Sequence, residues 1–307
     1  MKVLVADVPH RRELEPLPDG VELVSEPDTE VEFFVFGPEL ARNAAALFEQ
    51  LPNLRVVQSI AAGVDSLLRR VPEGVVVCGA SGAYDIAVSE WVVAALLALR
   101  WRLPGFFELQ QRAEWDTNAG NWITTGPSSV GPIDDLDGAT VLILGYGSIG
   151  RALAARLISF GARVVGVARH ARADAEPAEA LPRLLPEADA VVILVPLNAE
   201  TKRMVDGRFL ARMKEGALLI NAARGQIVDT GALIEALRSG HIRAALDVTD
   251  PEPLPPEHPL WGAPNVLITP HVAGAVTCSR TRAYRLAGEQ LRRYAAGEPL
   301  LNVSARD

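Results

Sequence analysis

The sequence predicts an α/β fold of two domains, each built on a parallel sheet flanked by helices. Length is the first sign: 307 residues exceed what one hydrophobic core usually organises and suit two domains of ordinary size with a cleft between them. The second is the alternation of short β-branched runs with helix-like stretches through both halves, the pattern that crossover helices and parallel sheets produce. Composition is the third. With 49% hydrophobic and 22% charged residues, the chain has enough apolar material for two cores and no bias toward disorder.

In the first hundred residues, strands are expected at Lys2–Ala6, Glu32–Phe36, Arg55–Ile60 and Val75–Cys78. Between them Pro38–Leu51 carries Ala and Leu at helical spacing, whereas Pro9–Gly20 is rich in proline and charge and holds at most a short helix. A long apolar helix runs from Ile86 to about Arg102, and the pattern then breaks into a Pro, Gly, Asn and Ser-rich crossing from Pro104 to Pro132. That crossing and its approach hold Trp101, Phe106, Phe107, Trp115 and Trp122, more aromatic surface than a solvated linker needs. The segment is therefore expected to pack, against a second subunit or against its own domain. In the second half strands are expected at Thr140–Leu144, Arg163–Ala168, Ala190–Val195, Ala217–Asn221, Arg243–Asp247 and Val266–Thr269. Six such strands with intervening helices fit a dinucleotide-binding sheet.

Several function classes are disfavoured at this level. A net charge of −8 repels a phosphate backbone, so nucleic acid is not an expected partner. Cys78 and Cys278 are the only cysteines, too far apart for a CxxC pair; they imply neither disulfide framework nor zinc site and are expected as reduced, buried thiols. No metal is expected. The amino terminus enters a strand-like run directly, without a signal-peptide cleavage region, and the apolar segment Trp91–Leu99 is too short for a membrane span of about 20 residues. A cytoplasmic protein without membrane contact is the expectation.

Gly145-Tyr146-Gly147-Ser148-Ile149-Gly150 follows the run Thr140–Leu144 and opens the helical stretch Ile149–Phe160. In that setting a G-x-G-x-x-G motif binds a dinucleotide. Gly145 permits the tight turn, Gly147 lets a pyrophosphate approach the backbone, and Gly150 lets helix and strand pack closely. The next strand, Val164–Ala168, ends without the acid that receives a ribose 2′-hydroxyl in NAD-selective sites; Arg169-His170-Ala171-Arg172 stands there instead. Two arginines suit a 2′-phosphate, which favours NADP, with NAD as the alternative.

Three later segments place ionisable residues near expected strand ends: Asn221-Ala222-Ala223-Arg224-Gly225, Asp247–Pro253 with Glu252, and Thr269-Pro270-His271. A keto-acid reductase needs a cation for carboxylate and carbonyl, a proton donor beside the carbonyl oxygen, and a group that supports the donor. Arg224, His271 and Glu252 supply one of each.

These segments, together with Gly145–Gly150, Ile60-Ala61-Ala62-Gly63-Val64-Asp65, Tyr84–Glu90 and Ala273-Gly274, resemble the D-isomer-specific 2-hydroxyacid dehydrogenase family, which includes glyoxylate/hydroxypyruvate reductases and phosphoglycerate dehydrogenases. The resemblance spans nearly the whole chain. It implies two Rossmann/flavodoxin-like domains with the active site in the interdomain cleft: residues 1–99 with 276–307 binding substrate, and residues 100–275 binding the dinucleotide. It implies that His271 protonates the keto oxygen during hydride transfer, that Glu252 hydrogen-bonds His271, and that Arg224 clamps the substrate. A carboxylate beside an imidazole favours its protonated form. Backbone N–H groups of Ala62, Gly63 and Val64 would hold the substrate carboxylate, and Asp247 would face the nicotinamide carboxamide. The candidate cofactor contacts are Gly145, Tyr146, Gly147, Ser148, Ile149, Gly150, Arg169, His170, Arg172, Pro196, Asn221, Ala222, Asp247, His271 and Gly274.

The chain departs from the family at Trp91, where many relatives carry His, and at Asn198, where Thr is usual. A formate-type activity is disfavoured because those relatives carry Gln where this chain has Glu252. A competing reading from another class is a nucleotide-sensing binding protein of the corepressor type on the same fold. A small 2-keto or 2-hydroxy acid is the expected ligand, and the family implies a homodimer.

Overall fold

A computed structural model describes residues 1–119 and 127–304 of the chain. It divides into two compact units, residues 1–87 with 274–307 and residues 88–273.

The first unit carries five parallel strands, β1 (Lys2–Val5), β2 (Glu22–Val24), β3 (Val31–Phe36), β4 (Val56–Ser59) and β5 (Val76–Cys78), in the order β2-β1-β3-β4-β5. Alternation along each strand sends side chains to opposite faces, and both faces are apolar. Val3, Val5, Phe33 and Val35 face one cluster with Ala283, Tyr284, Ala287 and Leu291 of the helix Ser279–Ala295. Leu4, Phe34, Phe36 and Val57 face another with Ala44, Phe48, Leu51 and Leu67. Gly288 lets the last helix approach closely, because a Cβ there would lie 2.4 Å from the Leu14 carbonyl oxygen at the end of the 3₁₀ turn Val8–Leu14.

The second unit carries β6 (Thr140–Leu144), β7 (Arg163–Ala168), β8 (Glu176–Pro177), β9 (Ala190–Ile193), β10 (Ala217–Asn221), β11 (Ile242–Leu246) and β12 (Val266–Ile268). They form a parallel sheet in the order β12-β11-β10-β9-β6-β7-β8, so the order reverses between β6 and β9, where doubly wound folds bind their ligands. Asp206 and Asp229 cap the helices Gly207–Arg212 and Thr230–Arg238, Asp206 accepting from Arg208 N and Phe209 N and Asp229 from Ala232 N. Near the amino end of β11, Arg243 is buried. Its guanidinium donates to Leu99 O (2.5 Å), near the carboxyl end of the helix Asp85–Arg100, and to Gly216 O (3.3 Å). A cation at a helix carboxyl terminus is favourable, yet burial, followed by Arg102 nearby, pushes its pKa down to about 10.

Several expectations are corrected. The strands β2 and β8 are additional. The helix expected to reach Arg102 stops at Arg100, and Arg102 takes a left-handed φ of 54° before a second helix, Leu103–Gln111. Pro104 does not break that helix because it lies in the first turn, where its missing N–H costs nothing. Pro38–Leu51 is a 3₁₀ turn, Pro38–Asn43, followed by the short helix Ala44–Phe48. Cys78 is buried, but Cys278 is exposed at the N-cap of the last helix. Trp101, Phe107 and Trp115 are 47%, 60% and 90% exposed, so within this chain the aromatic crossing does not pack as expected; Trp122 lies outside the described residues. Among the described residues no helix is long and apolar enough to cross a membrane.

Candidate active site

Every candidate residue of the second unit lies at or beyond the carboxyl end of a strand. After β6, Gly145 takes a φ of 100°, and a Cβ on it would lie 2.5 Å from the Leu194 carbonyl carbon. A Cβ on Gly150 would strike Gly145 O at 2.6 Å. Both positions need glycine for the fold itself. Gly147 differs: a Cβ there would meet nothing within 4 Å, so the space beside it is open at the start of the helix Ser148–Ser159, which has no side-chain cap. An uncapped helix start beside an open glycine fits a pyrophosphate.

Tyr146 lies against β7, where a Cβ on Gly166 would come within 2.4 Å of its ring, and the Arg151 guanidinium sits 5.8 Å from the ring centroid. The exposed end of β7 presents two paired arginines. Arg169 forms an ion pair with Glu200, and Arg172 donates to Tyr146 O (2.6 Å) and lies 3.6 Å from Asp174. Asp174 also accepts from Arg151 at 2.9 Å, which holds its carboxyl below the usual range. His170 is exposed. After β9, Pro196 O accepts from Thr201 Oγ1 (2.6 Å).

At the end of β10, buried Asn221 shapes the turn that carries Arg224. Its Nδ2 donates to Arg224 O (3.0 Å), and its Oδ1 accepts from Ala223 N (3.1 Å). Gly225 closes the turn against the neighbouring loop, where a Cβ would lie 1.9 Å from Thr249 O. Arg224 Nη1 donates to Ala223 O (2.7 Å), and Ala222 is half-buried with its N–H directed to Ile193 O (3.4 Å).

The loop after β12 hangs on Asp247, which is only 2% exposed. Asp247 Oδ1 accepts from Thr269 Oγ1 (2.6 Å) and Val272 N (2.8 Å), its Oδ2 accepts from Ala273 N (2.9 Å), and its carbonyl accepts from His271 N (2.7 Å). These bonds hold His271 at a φ of 55°, a conformation a non-glycine residue keeps only when its surroundings enforce it. Asp247 thus organises the loop, and a carboxamide contact would share oxygens already used. His271 Nδ1 lies 2.5 Å from Glu252 Oε1. A carboxylate accepts, so Nδ1 carries the proton of that bond and Nε2 is the ring's other nitrogen. Arg224, Glu252 and His271 therefore sit on successive loops of the adjacent strands β10, β11 and β12.

In the first unit, Ala62 and Gly63 are exposed and Val64 is buried in the turn after β4. Ser59 Oγ accepts from Ala61 N (3.0 Å), and Ala61 O accepts from Ala80 N (3.0 Å). Tyr84 donates to Ile60 O (2.5 Å); burial raises its pKa, and Arg280 partly offsets this. Gly274 packs on Tyr84, where a Cβ would lie 3.0 Å from the ring.

Residues 93–273 match the family model described as the NAD-binding domain of D-isomer-specific 2-hydroxyacid dehydrogenases, more than half of the chain. This chain belongs to that family. A glyoxylate reductase from Thermofilum pendens is 36% identical over 265 residues, 83% of this chain and 76% of that protein. An (S)-sulfolactate dehydrogenase from Chromohalobacter salexigens is 36% identical over 259 residues, covering 80% and 79%. A 2-hydroxyacid dehydrogenase from Xanthobacter autotrophicus, solved with NADPH and MES, superposes with a TM-score of 0.81 at 32% identity, covering 99% of this chain and 97% of that one. As a member of the 2-hydroxyacid dehydrogenase family, the chain is an oxidoreductase that uses NAD(P) on the CH–OH group.

Sequence reasoning missed three contributors. Thr269 and Asp174 act only through the hydrogen bonds they make, which no spacing rule encodes. Glu200 lies two residues past Asn198, and nothing in the sequence names Arg169 as its partner.

Proposed function

We propose that this 2-hydroxyacid dehydrogenase interconverts a small 2-keto acid and its D-2-hydroxy acid with NADP as the favoured cofactor. The observation that carries the reading is the 2.5 Å contact of His271 Nδ1 with Glu252, on the loop next to the one bearing Arg224. When bound, the reduced nicotinamide supplies the hydride that ends on the keto carbon. His271 gives the Nε2 proton to the keto oxygen, and Glu252 stabilises the ring through Nδ1 and fixes its orientation. Arg224 offers a planar donor set for the substrate carboxylate and keto oxygen. Ala62, Gly63 and Val64 are the proposed backbone donors to the same carboxylate. Gly145–Gly150 receive the pyrophosphate, Arg169 and Arg172 the 2′-phosphate. Two solved relatives support NADP: the Xanthobacter enzyme in complex with NADPH, and an NADPH-dependent glyoxylate/hydroxypyruvate reductase from Sinorhizobium meliloti in complex with NADP and sulfate, with a TM-score of 0.82 at 26% identity over 99% of this chain and 97% of that one.

The test follows absorbance of the reduced nicotinamide with glyoxylate, hydroxypyruvate, pyruvate and a branched keto acid, with NADPH and NADH in parallel. Keto-acid-dependent oxidation, faster with NADPH, is expected. His271→Gln should lower turnover by roughly 10²–10⁴-fold while NADPH still binds; near-normal turnover would remove the proton-donor role. Binding without turnover on any keto acid would favour the nucleotide-sensing reading. The exposure of Trp101, Phe107 and Trp115 supports a homodimer, which light scattering would report as twice the chain mass.

A further inference from the structure

Asn198, one of the two departures from the family pattern, builds the turn that presents Glu200. Its Oδ1 accepts from Glu200 N (3.0 Å) and Thr201 N (2.9 Å), its own N–H donates to Thr201 Oγ1 (2.9 Å), and Thr201 in turn donates to Pro196 O. Glu200 is thereby set at the end of a short, closed turn and pairs with Arg169, whose strand end lacks an acid of its own. Both side chains are largely exposed, 64% for Arg169 and 60% for Glu200. The arginine next along, Arg172, is held by Tyr146 O and by Asp174, which also carries Arg151.

We infer that Glu200 is a specificity-determining residue for the cofactor, a counter-charge that occupies Arg169 until a 2′-phosphate displaces it. The inference rests on the reading of Arg169 as the 2′-phosphate ligand. A phosphate dianion is the stronger partner for a guanidinium, because it brings more charge and more acceptor oxygens than a carboxylate does. An exposed carboxylate–guanidinium pair is weak and screened by salt, so the exchange costs little. A ribose 2′-hydroxyl brings no charge to this exchange and leaves the Arg169–Glu200 pair intact. Glu200 therefore lowers the affinity for the phosphorylated cofactor and leaves the unphosphorylated one alone, which narrows the preference for NADP that the two arginines create.

Equilibrium binding of NADPH and NADH, without keto acid, tests this by calorimetry on the full chain at two salt concentrations. Glu200→Gln should tighten NADPH by roughly two- to fivefold at low salt, the range of an exposed ion pair, with less gain at high salt and NADH unchanged. In an Arg169→Gln background the gain should vanish, because the guanidinium that Glu200 occupies is gone. No change in NADPH affinity, or equal tightening of both cofactors, would overturn the role of Glu200. The two readings separate cleanly. If Arg169→Gln alone leaves the NADPH/NADH ratio unchanged, the 2′-phosphate assignment falls and the Glu200 inference with it. If Arg169→Gln lowers the ratio but Glu200→Gln does not raise it, only the inference falls.

Discussion

His271 is held by its neighbours' polar atoms more than by its own contacts, and Asp247 is the centre of that arrangement. Removing one donor to a buried carboxylate is expensive, since hydrogen bonds to charged groups contribute about 1.5–3 kcal/mol. Thr269→Val deletes the 2.6 Å bond to Asp247 Oδ1 and should cost stability in that range by urea titration. It should also lower kcat more than it raises KM, because the loop bearing His271 loosens while the cofactor contacts persist. Thr269→Ser keeps the hydroxyl and should restore both. Loss in the Ser variant with the Val variant near the parent would mean that methyl packing, not the hydrogen bond, sets the loop. The cysteines offer a second residue-scale check. Burial pushes the Cys78 thiol up to about 11, against a smaller opposing effect of Gln290, while Cys278 is exposed. One thiol should therefore react with a disulfide reagent in the native protein and a second only on unfolding; prompt reaction of both would contradict the burial of Cys78.

At the scale of elements, Asp189 ties together the amino ends of three strands. Its backbone N–H donates to Thr140 O (2.9 Å), its carboxylate accepts from Thr140 N (2.8 Å) and Lys214 Nζ (2.6 Å), and its carbonyl accepts from Leu218 N (3.0 Å). Burial alone would raise this carboxyl, but Lys214 and the Thr140 N–H outweigh it and hold the folded pKa below the ordinary 3.8. A depressed folded pKa adds stability above pH 3.8 that is lost as pH falls from there through the folded value. Asp189→Asn should thus flatten the acid limb of the stability curve and leave a lower plateau at neutral pH; an unchanged acid limb would assign that slope to other carboxylates. The same scale explains what the sequence made legible. The long strands of both sheets were readable because apolar residues fill them on both faces. Glu22–Val24 and Glu176–Pro177 were not, since each short edge run opens on a glutamate and shows no apolar stretch of its own, unlike the equally short edges Val76–Cys78 and Val266–Ile268. The helix Leu103–Gln111 was hidden by Pro104, which reads as a breaker until its place in the first turn is known. In the site, glycine spacing and the residues Arg224, Glu252 and His271 stood out because chemistry demands those types. The inward tasks of Asn221, Asp247 and Thr269 did not, because a polar side chain shows no partner in one dimension.

Across the whole molecule, both sheets share one logic: apolar on two faces, with few polar side chains inside the strands, such as Gln58 and Glu32. The four glycines Gly145, Gly147, Gly150 and Gly225 illustrate how fold and chemistry divide the same sequence. At three of them an added methyl would collide with backbone, whereas at Gly147 it would meet only empty space. A population of variants sorted for folded protein alone would accept Ala at Gly147 and reject it at the other three. Sorted for cofactor capture, the same population would reject it at all four. Subtracting one map from the other, position by position, would trace the footprint of the bound dinucleotide from tolerance to mutation alone.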